Sequence, residues 1–322
     1  MIDMVFRSGR DKREGTDAGR GSEMTERKWM AEGAAMAETV KRTETAETLA
    51  MAEMLRTAKA PETAKTSGMA EILDSPETVH KMMTGAFMMN EYGAVTPVAY
   101  QRILMTVAEL DLYERKLDVP HMMKRMGVSW VLLALSVRVQ SPPCPGEMLS
   151  VGTWMSGREG MIFRRETKIC HEDGSLSAAA ASFSGILDIE SRRMCRDAVA
   201  LDVVSRQVAF REERLLSADS RCYPDREQFQ EVGDMRVLPS WIDELGHVNN
   251  SHYGEIAYDI LPQTEHGRFC DLDRMEIYFL GELRKDETVA LSLRQEPRQV
   301  EILGQRKRDG KDAFLARFLF GK

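Results

Sequence analysis

The 322-residue chain is long enough for two ordinary domains, and 43% of its residues are hydrophobic, as expected of a globular protein with a core. Its formal net charge of −7 gives no electrostatic case for nucleic-acid binding, which needs a clustered basic surface. The longest apolar stretch, residues 128–137, is half the length of roughly 20 residues that crosses a bilayer, and the polar N-terminus lacks a signal-like apolar block. We therefore expect a cytoplasmic protein that binds no nucleic acid and does not insert into a membrane.

Residues 1–78 differ in composition from the rest of the chain. They contain no Tyr or Cys, a single Phe and a single Trp, and recurrent Met-Ala-Glu and Thr-Ala-Glu units. Such a segment can bury little apolar surface, whereas its Ala and Glu residues favour helix. This predicts a disordered or weakly helical N-terminal extension, with transient helix over residues 46–58 that Pro61 interrupts.

An internal repeat begins near Val79. Residues 90–100 align without gaps with residues 243–253, at an offset of 153. The pairs with identical residues are Gly93 and Gly246, Val95 and Val248, and Tyr100 and Tyr253. Each segment leads into the apolar periodicity of an amphipathic helix. Its apolar positions are Tyr100, Ile103, Leu104, Val107 and Ala108 in the first copy, and Tyr253, Ile256, Ala257, Ile260 and Leu261 in the second.

The repeat continues into strands. Residues 137–151 align with residues 277–291 as two alternating strands about a turn, and the Asp-Gly turn at residues 173–174 aligns with that at 309–310. Each half is therefore predicted to be an α+β layer in which an antiparallel sheet covers a helix, and two such halves would pair as a pseudo-dimer. Residues 199–230, which are charged and weakly periodic, are predicted to connect them.

The segment from residue 243 to 253 reads Asp-x-x-Gly-His-Val-Asn-Asn-x-x-Tyr. It resembles the active-site segment of hotdog-fold thioesterases, particularly the acyl-ACP thioesterases, in their bacterial form with two tandem hotdog domains. The resemblance covers about residues 79–322. It implies a non-catalytic N-terminal hotdog domain over residues 79–198 that forms half of an acyl pocket, and a catalytic C-terminal hotdog domain over residues 231–322. It also implies hydrolysis of a fatty acyl thioester carried by acyl carrier protein (ACP), with no metal or organic cofactor.

Three residues match catalytic positions of that family. Asp243 matches its active-site Asp, His247 its His, and Glu282 its Glu on the adjacent strand. Two positions depart from the plant enzymes, because Leu245 replaces an Asn and Leu283 replaces a Cys. A mechanism that uses a Cys nucleophile at that position is therefore excluded.

Thioester hydrolysis needs a water molecule activated near the thioester carbonyl. A partly buried carboxylate can serve as the general base, and either Asp243 or Glu282 can fill this role. His247 can orient the water or donate a proton to the departing thiolate. The backbone N–H groups at the start of the following helix are expected to bind substrate or the oxyanion, at Val248, Asn249 and Asn250. Asn249 or Asn250 is alternatively the N-cap of that helix.

The repeat provides a test that does not depend on the family. At the positions of the three candidate catalytic residues the first half has Asn90, Ala94 and Pro142. The Gly and Tyr positions that shape the segment are kept in both halves. This asymmetry indicates that the second half performs the chemistry and that the first supplies a wall of the pocket.

The sequence is also compatible with two alternative functions. The first is hydrolysis of acyl-CoA, which differs in the carrier and not in the chemistry. The second is a non-catalytic acyl-thioester-binding hotdog protein, since one fold hosts several functions, although a pure binder has no need of a general base. His252 lies five residues after His247, which is not the helical spacing that favours a metal pair. Acyl chain length and association into a homodimer are left open by the sequence.

Overall fold

The computed structural model describes residues 77–321. The predicted extension over residues 1–78, with its transient helix, lies outside this range apart from its last two residues. In the described part of the chain no helix is both long enough and apolar enough to cross a membrane.

Within residues 77–321 the chain forms eleven strands and five α-helices. The first part contains β1 (Thr78–Met83), α1 (Pro97–Glu114), α2 (Val119–Met126), β2 (Val128–Val139), β3 (Met148–Glu159), β4 (Ile162–Cys170), β5 (Leu176–Asp188), β6 (Arg193–Met194) and α3 (Ala198–Gln207). The second contains β7 (Gln230–Arg236), α4 (Tyr253–Asp259), α5 (Gln263–His266), β8 (Leu272–Phe279), β9 (Thr288–Glu296), β10 (Gln299–Arg306) and β11 (Asp312–Phe320). Short 3-10 helices occur at Ala86–Met88, Arg226–Gln228, Pro239–Trp241, Asn250–His252 and Gly267–Asp271.

The strands form one antiparallel sheet with a twofold pattern. Its order is β1-β3-β4-β5-β2-β8-β11-β10-β9-β7, and β6 pairs with β5 at the side. Read outward from the centre, the two halves follow the same order of equivalent strands. They meet where residues 134–138 of β2 pair with residues 274–278 of β8. The prediction of two α+β copies paired as a pseudo-dimer is confirmed.

The helix of the first half is the one that the sequence predicts. Thr96 caps its N-terminus by accepting a hydrogen bond from the Ala99 N–H, and Pro97 occupies the first helical position, where no backbone donor is needed. The predicted apolar positions from Tyr100 to Val107 are buried, and Ala108 is half-buried. The buried face packs against the sheet and against the second half.

The helix of the second half is shorter than predicted. It starts with the 3-10 turn Asn250–His252 and continues as α4, which ends at Asp259. Ile260 and Leu261, two of the predicted helical positions, lie beyond its end. Pro262 explains the early stop, because a proline disfavours helical geometry in the residue before it and lacks the N–H that helix continuation needs.

The two equivalent helices meet at equivalent residues. Gln101, fully buried on α1, aligns with Gly254 on α4. Its side-chain oxygen accepts a hydrogen bond from the Gly254 N–H at 2.7 Å, and its amide nitrogen donates to the Asn250 carbonyl at 2.8 Å. Contact between equivalent positions is expected where a twofold axis passes between two copies. The main core cluster accordingly contains residues from both halves.

The predicted connector, residues 199–230, contains structure of its own. It holds most of α3, whose buried Leu201 and Val204 pack in a cluster with α2 and β4. The segment that follows packs Leu216 and Phe229 against a cluster on the face of the sheet opposite the helices. That cluster draws its buried residues from both halves: Ala134, Ala181, Phe183, Tyr278 and Leu315. The connector therefore covers the junction between the halves.

Candidate active site

A tight turn holds His247 in the candidate catalytic segment, residues 243–253. The Asp243 N–H donates to the His247 carbonyl at 2.9 Å, and one Asp243 carboxylate oxygen accepts from the N–H groups of Leu245 at 2.9 Å and His247 at 3.2 Å. Gly246 has a φ of +79°, which glycine adopts without steric cost. An Asp side chain that hydrogen-bonds the backbone in this way stabilises a turn. Asp243 therefore has a structural contact that is separate from any catalytic role.

The first half builds the same turn with an amide. The Asn90 side-chain oxygen accepts from the N–H groups of Tyr92 at 3.0 Å and Ala94 at 2.9 Å, and Gly93 also has a φ of +79°. The turn thus needs a side-chain oxygen at this position and not a negative charge.

His247 and Glu282 are brought together by strand-like pairing beside β8. His247 bridges to Arg284, and the Val248 N–H donates to the Leu283 carbonyl at 2.8 Å. This pairing sets His247 Nε2 at 3.2 Å from a carboxylate oxygen of Glu282. The His247 side chain is 16% exposed and that of Glu282 is 38% exposed, so both are reachable from solvent while partly shielded.

Arg192 is a third member of the site that the sequence analysis missed. It lies in the turn between β5 and β6 of the first half. Its Nη2 donates to both carboxylate oxygens of Glu282 at 2.6 Å and lies 3.2 Å from His247 Nε2. No residue of the second copy aligns with Arg192, so the repeat contained no signal for it. The site is therefore composed of residues from both halves.

The charges around Glu282 keep it ionised. Partial burial acts to raise the pKa of its carboxyl group, but the nearby charges of His247 and Arg192, with hydrogen bonds from Arg192 and Arg284, outweigh burial and lower that pKa below its ordinary value. A carboxylate in this state can accept a proton or a hydrogen bond at neutral pH.

A cavity of about 540 Å³ opens beside these residues. It lies where β2 and β8 separate. Residues 128–132 of β2 pair with β5 but not with β8. The chain that leaves β8 continues to Glu282, which lines the cavity. A β-bulge at Leu133 marks the separation, a device that re-aims side chains next to sites. The first half supplies most of the apolar lining: Met123, Trp130, Val131, Leu132, Leu133, Leu187, Ile189 and Met194. The second half supplies Asp243, His247 and Glu282 with further apolar groups.

The three predicted oxyanion positions differ in their backbone contacts. The Val248 N–H is bonded to Leu283, and the Asn249 N–H donates to the Trp241 carbonyl at 2.8 Å. The Asn249 side chain is the N-cap of the 3-10 turn, since its oxygen accepts from the Ser251 N–H at 3.0 Å. Asn250 lines the cavity, and among residues 77–321 no acceptor is found for its N–H.

The two leucines that depart from the plant pattern occupy different environments. Leu283 is fully buried in the main core, and its N–H donates to the Tyr253 hydroxyl at 3.3 Å. Leu245 is 41% exposed and lines the cavity. A side chain at position 283 therefore points into the packed core rather than to a substrate.

The equivalent place in the first half is filled by contacts between the halves. The Asn90 side-chain nitrogen donates to the Tyr258 hydroxyl at 3.1 Å and to the His266 carbonyl at 3.0 Å. The Cys270 thiol donates to the Tyr92 carbonyl at 3.6 Å. Side chains of the second half thus occupy the space next to the turn of the first half, in contrast to the cavity beside His247.

Another cavity, of about 850 Å³, lies along α3. Its lining contains three arginines and a single acid, Asp202, which pairs with Arg206 at 2.7 Å, and it has no His, Cys or Ser. It offers no acid–base pair for hydrolysis, so the smaller cavity is the candidate active site. Within residues 77–321 no group of three or more His, Cys, Asp or Glu side chains has the arrangement of a metal site.

Comparison with known proteins finds a matching family model and similar folds. Residues 81–206 match the family model of the acyl-ACP thioesterase N-terminal domain. A comparison with curated proteins finds no match. Among solved structures the fold is similar to that of an acyl-ACP thioesterase from Bacteroides thetaiotaomicron, with a TM-score of 0.66 at 18% identity, covering 76% of this chain and 98% of that one.

Two further structures share this fold. The 12:0-ACP thioesterase from Umbellularia californica has a TM-score of 0.66 at 14% identity and covers 77% of this chain and 98% of its own. A putative oleoyl thioesterase from Lactobacillus plantarum has a TM-score of 0.61 at 19% identity and covers 78% and 99%. At these identities the structural likeness establishes the tandem hotdog fold, and the family model matched over residues 81–206 supports a thioester hydrolase similar to the acyl-ACP thioesterases.

Proposed function

We propose that the protein hydrolyses fatty acyl-ACP to a free fatty acid and holo-ACP in the cytoplasm, as a step of fatty acid metabolism. The observation that carries the proposal is the contact of His247 with the ionised Glu282 at the wall of a largely apolar cavity. An apolar wall suits an acyl chain, and the acid–base pair suits a reaction with water.

In the proposed reaction Glu282 accepts a proton from a water molecule whose oxygen attacks the thioester carbonyl carbon. The carbonyl oxygen becomes an oxyanion, and we assign its stabilisation to the N–H of Asn250, a residue that lines the cavity. When the intermediate collapses, the carbon–sulfur bond breaks and the thiolate takes a proton from His247. The proton held by Glu282 then passes to His247, 3.2 Å away, which restores both groups. One water is consumed, and one carboxylic acid and one thiol are formed.

Glu282 is favoured over Asp243 as the general base by its contacts. Glu282 lies within reach of His247, whereas the Asp243 carboxylate accepts hydrogen bonds from the turn that carries His247. We assign Asp243 the role of holding His247 in place, together with a negative charge at the cavity wall. The Asn249 side chain serves as helix cap, and Val248 contributes an apolar side chain to the cavity.

The test is release of thiol from acyl-ACP and from acyl-CoA with matched acyl chains of several lengths. The proposal predicts turnover of acyl-ACP with a higher kcat/KM than of the corresponding acyl-CoA. A reversed preference would make the protein an acyl-CoA thioesterase. Saturable binding of both thioesters without any thiol release would identify a non-catalytic acyl-thioester-binding protein.

A further inference from the structure

Arg192 bridges the two halves at the point where the chemistry is proposed to occur. A single nitrogen of its guanidinium group contacts both carboxylate oxygens of Glu282 and lies near His247 Nε2. Its side chain is 42% exposed, so the contact lies at the edge of the cavity and not in the core. A contact of this kind holds a carboxylate in one orientation and favours its ionised form.

The backbone at Arg192 is strained. Its φ is +56°, in the left-handed region that residues with a Cβ rarely adopt. The turn is fixed by Asp188, whose carboxylate accepts from the Ser191 N–H at 2.7 Å and whose carbonyl accepts from the Arg192 N–H at 2.9 Å. Strained residues of this type cluster at functional sites, because the surrounding structure must hold them in place. Glycine or asparagine adopts this backbone conformation at a lower cost than arginine. We infer that the contacts of the Arg192 side chain with Glu282 and His247 offset this cost.

Glu282 faces charged groups from several elements. Besides Arg192 and His247, Arg284 lies 3.4 Å from its carboxylate, and Arg306 donates to its backbone carbonyl at 3.3 Å. Negative charges in the same cavity come from Asp243 and Glu244. Arg192 has the shortest contacts with the carboxylate and is the cation that comes from the other half.

We propose that Arg192 is a positioning residue of the active site, supplied by the non-catalytic half, which holds Glu282 ionised and turned towards His247. The first half therefore supplies a charged residue of the active site as well as an apolar wall of the cavity, and the second half is incomplete without it. This inference rests on the proposed function for its kinetic consequence, but its electrostatic consequence can be measured without substrate.

Three variants separate this role from a purely structural one. Arg192→Gln removes the charge, Arg192→Lys keeps it, and Arg192→Asn removes it while suiting the left-handed backbone. Loss of a charge-assisted hydrogen bond predicts a fall in kcat of roughly 10–100-fold for Arg192→Gln with little change in KM. Arg192→Lys should recover part of the loss, and Arg192→Asn should lose as much as Arg192→Gln with an equal or higher Tm. The matched control is Arg193→Gln, which removes the exposed neighbouring charge and should leave turnover unchanged.

The pH dependence gives the second readout. The pKa of the Glu282 carboxyl group is lowered in part by Arg192, so its removal leaves burial less opposed and raises that pKa. The acidic limb of the kcat profile should move to higher pH in Arg192→Gln and not in Arg193→Gln. NMR titration of labelled Glu carboxyl carbons, with Glu282→Gln to assign the signal, should show the same upward shift without substrate.

The outcomes distinguish the inference from the proposed function. Wild-type protein that releases no thiol would refute the proposed function, while the NMR titration still tests the effect of Arg192. An active wild type with unchanged kcat, pH profile and Glu282 titration in Arg192→Gln would overturn the inference and leave the proposed function standing.

Discussion

Asp243 and Asn90 occupy equivalent positions in the two copies of the same turn. Both side-chain oxygens accept hydrogen bonds from two backbone N–H groups, yet one residue carries a charge and the other does not. The negative charge of Asp243 is therefore not needed to shape the turn, whereas its side-chain oxygen is. Its charge and its turn contacts can be separated by substitution.

Asp243→Asn is expected to leave Tm unchanged, because an amide oxygen holds the equivalent turn in the first half. Any loss of turnover in this variant then reports the charge alone. Asp243→Ala removes the acceptor of both N–H groups and should lower the free energy of unfolding by about 1–3 kcal/mol. Thermal unfolding and thiol release of both variants check this. Equal destabilisation by the two substitutions would contradict the structural role assigned to the side-chain oxygen.

The family resemblance and the repeat predicted that Asp243, His247 and Glu282 share one site of the second half. His247 and Glu282 were predicted from the family resemblance and from their absence in the first copy, and they lie 3.2 Å apart. Arg192 could not be found in this way, because its position follows from how β5 turns beside the other half. A contact that depends on the packing of two copies leaves no pattern in either copy.

At the scale of elements, the two equivalent helices differ in length but share their point of contact. The periodic apolar residues predicted both helices, and Pro262 limits the second one, which the sequence analysis extended to Leu261. The alignment at an offset of 153 paired Gln101 with Gly254, which meet near the twofold axis. Apolar periodicity thus predicts which face of a helix is buried better than it predicts where the helix ends. The end of a helix depends on only one or two residues.

Gly254→Ala is expected to break this contact. An added Cβ would clash with the Gln101 side-chain oxygen, so Gln101 must move and give up its bonds to Gly254 and Asn250. Buried polar groups without partners predict a loss of about 1–3 kcal/mol in the free energy of unfolding, measurable by urea denaturation.

A double-mutant cycle provides the control. If the loss comes from displacing Gln101, then Gly254→Ala should cost far less in a Gln101→Ala background, because the clash and the hydrogen bonds are already gone. Fully additive effects of the two substitutions would show that Gly254 is needed for another reason.

At the scale of the whole molecule, the connector joins the halves across the face of the sheet opposite the helices. The Leu215 N–H donates to the buried Glu166 at 3.0 Å in the first half, and Arg274 of the second half donates to the Ser217 carbonyl at 2.6 Å. The repeat predicted a pseudo-dimer but not this path, because the connector has no counterpart in either copy. Its charged residues pair with groups that only the folded sheet brings within reach.

The proposed domain boundary predicts that residues before Ser75 are dispensable. The described fold begins at β1, where the Thr78 hydroxyl donates to the buried Asp111 at 2.7 Å and Glu77 pairs with Lys168 at 2.8 Å. A chain beginning at Ser75 keeps these contacts and should fold with unchanged Tm and turnover. A chain beginning at Gly85 lacks β1 and is the control, expected to be less stable. Insoluble protein from the Ser75 chain would show that the preceding residues belong to the fold.

The proposed hydrolysis depends on Glu282 in contact with His247, and a matched pair of substitutions tests this dependence. Glu255 forms a similar pair with His252, at 2.5 Å, outside the lining of the candidate active-site cavity. The measurement is kcat for thiol release from acyl-ACP by wild type, Glu282→Gln and Glu255→Gln, with Tm recorded for each. Removal of a general base predicts a fall of about 10²–10⁴-fold for Glu282→Gln at unchanged Tm, and near wild-type turnover for Glu255→Gln. Near-normal turnover of Glu282→Gln would contradict the proposed mechanism, because Glu282 would then be a surface charge and not the base.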